Sequence, residues 1–283
     1  MVGELILNHS AANYAVFGNP IKHSKSPKIH KLFAKQAEIS LEYNAIEVPV
    51  DKLTSYIKSF FSQGGRGLNI TVPFKEDVCS LCTTLTQRAE ASGSVNTILI
   101  NDETDIYGDT TDGQGFLNDL INNHGIQLKN KSILILGAGG TIRSILEGLS
   151  DQMTKEIVLV NRTVSRAKSL ERKFENKLHI KAYSYSEFSD RAFDIIINGT
   201  SLSLSKELPP ISKRNIKKNT FCYDLMYSDN GTVFTEWAIE NGASEAIDGL
   251  GMLVEQAAES FMLWHGTKPD TRPVIKFLRD SKS

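Results

Sequence analysis

Between Asn19 and His30 the chain reads NPIKHSKSPKIH, with Ser24 and Ser26 flanking Lys25, His23 before them and Pro27 after. Hydroxyls, an ammonium and an imidazole so close together can hold a metal, a phosphate or a carboxylate, or can simply start a helix. Ser26 before Pro27 has the residue types of an N-cap followed by a proline at the first helical position. Three further stretches carry polar residues where a core would not choose them. NITVPFKED sets Asn69 and Thr71 on a strand and Lys75 just beyond Pro73. SVNTILI puts Asn96 inside an otherwise apolar strand, where a buried amide must be paired, and GDTTDGQGF sets Asp112 at the start of a helix. Each also has an ordinary reading: a surface lysine, an amide at a strand edge, a carboxylate capping a helix.

A second kind of chemistry is written in LILGAGGTIR, residues 134–143. Gly137, Ala138, Gly139, Gly140 and Thr141 form a small-residue turn that leaves a strand and opens a helix. Backbone N–H groups at such a turn face a pyrophosphate, and missing side chains let it approach. The third glycine of the usual pattern falls at Ile142, so the helix is expected to stand slightly farther from the strand. The next strand ends in VNRTVSR. An acid there would accept the ribose hydroxyls of NAD, whereas Asn161, Arg162, Thr163 and Arg166 offer two guanidiniums, a hydroxyl and a helix start, which suit the extra phosphate of NADP.

The elements around these residues alternate. SILILG (132–137), EIVLV (156–160), FDIII (193–197) and TFCYDL (220–225) read as short apolar strands, with helices in TIRSILEGLS, VSRAKSLERKF and FTEWAIENG. Apolar strands separated by helices predict a parallel sheet covered on both faces. The first hundred residues also alternate: YAVFG, a helix from Pro27 to about Ala37, EYNAIEV, the helical LTSYIKSFF, and GLNITV. VNTILI and DIYGD then form a hairpin with NDET as its turn. GMLVEQAAESFMLW is a long helix near the end, followed by a short one. The thirteen residues before Tyr14 read as a flexible extension.

Composition narrows the partners. Lys and Arg total 32 against 33 acids, which gives no basic footprint for nucleic acid. The basic run KRNIKKN (213–219) reads as a solvated loop. No apolar run reaches the about 18–20 residues of a membrane span, and the start does not read as a signal peptide. Three cysteines, an odd number, point to a reducing cytoplasm. Cys79-x-x-Cys82 has no second ligand pair, and His23 and His30 have no third partner, so no metal site is expected. Neither charge nor pattern separates a monomer from a homodimer.

NPIKHSKSPKIH, NITVPFK, SVNT, GDTTDG, GAGG, NRTVSR and DGLGMLVEQA stand here in the order and spacing of the shikimate dehydrogenase family, and the resemblance runs from Tyr14 to about Leu278. It implies an α/β chain of two α/β domains. Residues 1–111 with 248–283 would be the substrate-binding catalytic domain, to which the C-terminal helices return. Residues 112–247 would be a Rossmann-like NADP-binding domain, with a cleft between the two. The implied reaction is reversible NADPH-dependent reduction of 3-dehydroshikimate to shikimate, a step toward aromatic amino acids. By the same resemblance Ser24 and Ser26 bind the substrate carboxylate, and Thr71, Asn96, Asp112, Tyr227 and Gln256 complete the substrate contacts. Lys75 and Asp112 match the catalytic pair, with the formal acid left open between them. Leu225 and Gly249 match positions near the nicotinamide.

The chain departs from the family pattern at Thr110, usually Asn; at Ile142, usually small; and in Asn198-Gly199-Thr200-Ser201-Leu202-Ser203, where N-A-T-S-x-G is usual. Other readings are a quinate/shikimate dehydrogenase of the same fold, a non-catalytic NADP-binding regulator and a structural module.

Overall fold

A computed structural model describes residues 12–101 and 105–281. The first eleven residues, expected to be an extension, and 102–104 of the predicted hairpin turn lie outside the described residues. Ala12 and Asn13, read as part of that extension, instead belong to the first strand. They pair in parallel with Leu41 and Glu42, which satisfies their backbone.

The first unit comprises the chain up to Gly115 together with Leu253–Phe277. Its elements are β1 (Ala12–Gly18), α1 (Ser26–Gln36), β2 (Leu41–Glu47), α2 (Leu53–Ser62), β3 (Gly65–Ile70), the two-residue β4 (Thr84–Leu85), α3 (Gln87–Ser92), β5 (Thr97–Asn101) and β6 (Asp105–Asp109). They form a mixed sheet in the order β2-β1-β3-β5-β6-β4. β1 pairs in parallel with β2 and β3, while β3, β5 and β6 pair antiparallel. One face packs Phe17, Phe60, Leu68, Ile70, Phe74 and Ile98 into a core; each such ring or branched chain contributes about 1.5–3 kcal/mol by leaving water.

Two local details differ from the sequence reading. The residue capping α1 is Lys25, with Ser26 already helical; the Ser26 N–H is met by Ser24 Oγ at 3.3 Å, so the earlier serine supplies the hydroxyl. Asn96 and Thr71 lie one residue outside β5 and β3, where the ladder ends and side chains are free to turn inward. Cys79 lies in a 3-10 turn, Asp77–Leu81, which Cys82 ends, and both thiols pack against the core.

The second unit comprises Phe116–Met252 and the chain from Leu278. After α4 (Asp112–Leu117) come β7 (Ser132–Leu136), α5 (Gly140–Leu149), β8 (Glu156–Val160), α6 (Val164–Lys173), β9 (Ile180–Tyr183), β10 (Ile195–Asn198), β11 (Phe221–Asp224), α7 (Val233–Glu240) and β12 (Glu245–Asp248). All six strands are parallel, in the order β12-β11-β10-β7-β8-β9. This is the doubly wound arrangement, in which strand order reverses between β7 and β10. The edge strands β9 and β12 were not read from the sequence: Lys181 interrupts IKAY and EAID is bounded by Glu245 and Asp248, so neither contains an apolar run of three.

The last helices are α8 (Leu250–His265) and α9 (Arg272–Asp280). In the first unit α8 packs on the second sheet face, where the Trp264 ring lies 4.8 Å from that of Tyr14, tilted by 33°, and its indole N–H donates to Ile98 O at 3.3 Å. A methyl on Gly67 of β3 would meet Trp264 Nε1 at 2.5 Å. Gly67→Ala is therefore expected to lower stability by about 1–3 kcal/mol, read from denaturant unfolding. An unchanged midpoint would mean that α8 does not seat its tryptophan on β3.

Candidate active site

Lys75 lies five residues beyond β3, its backbone fixed by the Val95 N–H, which donates to Lys75 O at 2.8 Å. Its ammonium reaches Asp112 Oδ2 at 2.5 Å, with the two side chains only 12% and 4% exposed. The other Asp112 oxygen accepts the Asn96 amide at 3.0 Å. That amide also reaches Thr111 Oγ1 at 2.8 Å and Gln256 Oε1 at 3.1 Å, and Asn96 Oδ1 accepts the Thr111 N–H at 2.8 Å. Gln256 is held in turn by Leu253 O at 2.8 Å. A methyl on Gly115 would lie 2.6 Å from the Gln256 backbone, so α4 and α8 meet without an intervening side chain. Lys75, Asp112, Asn96 and Gln256 are thus brought together directly.

The network continues to the serines. Asn69 donates to Asn96 O and Thr97 Oγ1, both at 3.1 Å, and to Ser260 Oγ at 3.0 Å. Its Oδ1 accepts the Tyr43 hydroxyl at 2.7 Å. Ser26 interacts with that same phenol, whose pKa burial pushes well up while Ser26 pulls it back. Ser24 is half-buried, its N–H donating to Ile21 O at 2.9 Å. Thr71 is half-buried too, its backbone tied to Phe17 O at 2.9 Å. Tyr43, Thr97, Thr111 and Ser260 escaped the sequence reading. Ser260 had a signal, since it follows Gln256 by four residues and shares its helix face; Tyr43 had none.

His30 lies in the core beneath this motif, stacked on Tyr43 at 4.3 Å and 7°. Burial first, then neighbouring His265, lower its pKa to about 3. Burial and the neighbouring Cys79 push the Cys82 thiol up to about 12. Among the described residues no group of three or more His, Cys, Asp or Glu is placed to hold a metal.

The second unit carries the glycine-rich turn. Gly137 adopts φ +108°, open to glycine alone. Gly139 is extended, caps α5 without a side-chain hydrogen bond, and has open space where its Cβ would stand. Ala138 is buried, and Gly140 and Thr141 form the first helical turn with no acid among them. After β8, Asn161 donates to Thr163 O at 2.8 Å. Arg162, Thr163 and Arg166 are exposed at the start of α6, which lacks an acid in its first turn and a side-chain cap bond. An open glycine cradle with cationic, acid-free neighbours fits a dinucleotide bearing a further phosphate. Leu225 and Gly249 meet at the ends of β11 and β12, where a methyl on Gly249 would stand 2.4 Å from Leu225 O. Tyr227, half-buried, follows two residues after Leu225.

Residues 16–98 match the family described as shikimate dehydrogenase substrate binding domain, 119–224 that of shikimate / quinate 5-dehydrogenase, and 249–279 the shikimate 5'-dehydrogenase C-terminal domain. The chain is 48% identical over 266 residues to a shikimate dehydrogenase (NADP(+)) of Hahella chejuensis, covering 94% of this chain and 98% of the relative. It is also 48% identical to that of Vibrio cholerae, covering 94% and 95%. A Thermus thermophilus shikimate 5-dehydrogenase solved with NADP(H) and shikimate superposes with a TM-score of 0.84 at 30% identity, over 96% of this chain and 100% of the other.

The neutral His30 makes a pH prediction. Its folded pKa lies far below the ordinary value, so the unfolded chain binds the extra proton. Stability is complete above about pH 6.5 and falls by roughly 1.4 kcal/mol per pH unit toward pH 3. Unfolding of wild type and His30→Phe compared between pH 7 and pH 5 should show the shallower slope in the variant, and equal slopes would place His30 in contact with water.

Proposed function

The chain belongs to the shikimate dehydrogenase family, and on that premise we propose that it interconverts 3-dehydroshikimate and shikimate with NADP(H), using Lys75 and Asp112 to handle the proton. The observation carrying this reading is the Lys75–Asp112 pair at 2.5 Å, withdrawn from water and surrounded by oriented amides. Bound NADPH supplies the hydride that adds to the ketone carbon. Lys75 Nζ then stabilises the charge growing on the ketone oxygen and delivers the proton to it. Asp112 holds that ammonium and binds a neighbouring ring hydroxyl, and Asn96 fixes Asp112 from behind. Ser24 and Ser26 donate to the carboxylate, with Thr71, Tyr227 and Gln256 completing the ring contacts.

In this reading the first unit is the substrate domain and the second the NADP domain, with notional boundaries near residues 111 and 247. Gly137 to Thr141 take the pyrophosphate, Asn161, Arg162, Thr163 and Arg166 the ribose phosphate, and Leu225 and Gly249 the nicotinamide end. No helix among the described residues is long and apolar enough to cross a membrane. Near-neutral charge and free thiols favour a cytoplasmic enzyme, monomer or homodimer, with no nucleic-acid partner.

Shikimate oxidation should proceed with NADP⁺ and be much weaker with NAD⁺ or with quinate as substrate. Lys75→Ala should lower kcat by roughly 10²–10⁴-fold while NADP⁺ binding changes by less than about twofold. Equal turnover of quinate would move the assignment to the dual-specificity branch. No turnover by folded, NADP⁺-binding protein would favour the regulator.

A further inference from the structure

We propose that Ile142, Gly199 and Ser203 are positioning residues that jointly hold the loop after β10 in one conformation beside the glycine-rich turn, so that NADP(H) meets a wall already ordered. The proposal deepens the cofactor reading above and rests on it.

In a doubly wound sheet the ligand lies outside the carboxyl ends of the strands where their order reverses, here β7 and β10. The chain leaves those strands at Gly137 and Gly199, and the two exits touch. The Gly199 N–H donates to Leu136 O at 2.7 Å, and a methyl on Gly137 would lie 2.9 Å from Gly199 O. A methyl on Gly199 would lie 2.4 Å from Ile142 Cδ1, 2.7 Å from its Cγ1 and 3.1 Å from Leu136 O. Ile142 is 1% exposed on α5, where a β-branched chain has one favoured rotamer and little room to swing aside. Ile142 therefore fills, from the helix, the space that a residue at 199 would fill from the loop.

Farther along, Asn198 Oδ1 accepts the Thr200 N–H at 3.1 Å and hydroxyl at 2.7 Å, which fixes the first turn of the loop. The Ser203 hydroxyl donates to Asp224 Oδ2 at 2.6 Å. Asp224 is fully buried and also accepts Thr232 Oγ1 at 2.6 Å, the Met226 N–H at 3.1 Å and Asn198 Nδ2 at 3.1 Å. Ser203 thus ties the middle of the loop to the end of β11, just before exposed Leu204. All three residues are positions at which the chain departs from the family pattern, and here they form one packing arrangement. A glycine at 203 would remove the tie and free the backbone, so ordering would have to accompany binding.

The test measures equilibrium binding of NADP⁺ to the full chain by calorimetry, with thermal unfolding and amide exchange alongside. Ser203→Gly should raise Kd for NADP⁺ about threefold to tenfold and speed exchange in residues 199–206. Steady-state loss should fall on KM for NADP⁺ and leave KM for shikimate within about twofold. Gly199→Ala should weaken NADP⁺ binding by a similar factor in the parent and by less than about twofold in Ile142→Ala. If Ile142→Ala does not fold, Ile142→Val, which removes Cδ1 alone, should give partial relief. Unchanged binding and exchange in Ser203→Gly would overturn the proposal. So would variants that lose only thermal stability, or an equal Gly199→Ala effect in both backgrounds. A parent that binds no NADP⁺ removes the cofactor reading and the proposal with it, whereas a binding parent with parent-like variants removes the proposal alone.

Discussion

Asp112 holds a carboxylate almost out of contact with water, and a charge so placed must be paired and hydrogen-bonded or cost several kcal/mol. Lys75 answers one oxygen and Asn96 the other. Asn96 can do so because the rest of it is committed, its carbonyl to the Ile70 N–H and its side-chain oxygen to Thr111. Those partners come from the end of β3, the approach to α4 and the α8 helix, so satisfying one carboxylate requires three separate parts of the first unit to arrive in register. The same requirement explains Gly115, whose missing side chain lets α8 bring Gln256 within reach of Asn96. Asp109 repeats the theme nearby, accepting Thr86 and Arg88 side chains and the Thr110 N–H and so fixing the approach to Asp112.

The second unit is governed by backbone geometry more than by charge. Positive φ at Gly137, the extended Gly139 and the parallel register of β7 with β8 and β10 set the turn before any side chain is considered. Side chains enter at the rim, where α6 begins with arginines and no acid. Asp224, buried in the end of β11, takes its hydrogen bonds from two loops, and these fix where the strand ends give way to irregular chain.

Much of this was legible beforehand, for identifiable reasons. β8 matches EIVLV residue for residue, SILIL and FCYD lie within the runs read as strands, and IIIN overlaps FDIII and extends it by Asn198. Such strands are buried on both faces and announce themselves by hydropathy alone. IKAY and EAID lie at sheet edges, contain no apolar run of three and were not read as strands. The candidate site divides likewise. Asn96 stood out as a polar group inside an apolar strand, while Lys75 and Asp112 were paired only by the family resemblance. Tyr43 did not, because an aromatic in a strand is the commonest filling for a core, and only a partner 26 positions away, Asn69, shows that its hydroxyl is used. The cap at Ser26 failed by one residue, since Ser24 reaches the same N–H from outside the helix.

The overlap at Gly199 also gives sequence change a direction. A side chain at 199 and an isoleucine at 142 contend for one space, with 2.4 Å between a would-be methyl and Cδ1. With isoleucine at 142, alanine at 199 forces the helix side chain or the loop to shift, whereas glycine at 199 accepts either a large or a small residue at 142. Glycine at 199 is thereby the permissive residue and isoleucine at 142 the dependent one, two conservative-looking positions coupled through a single contact.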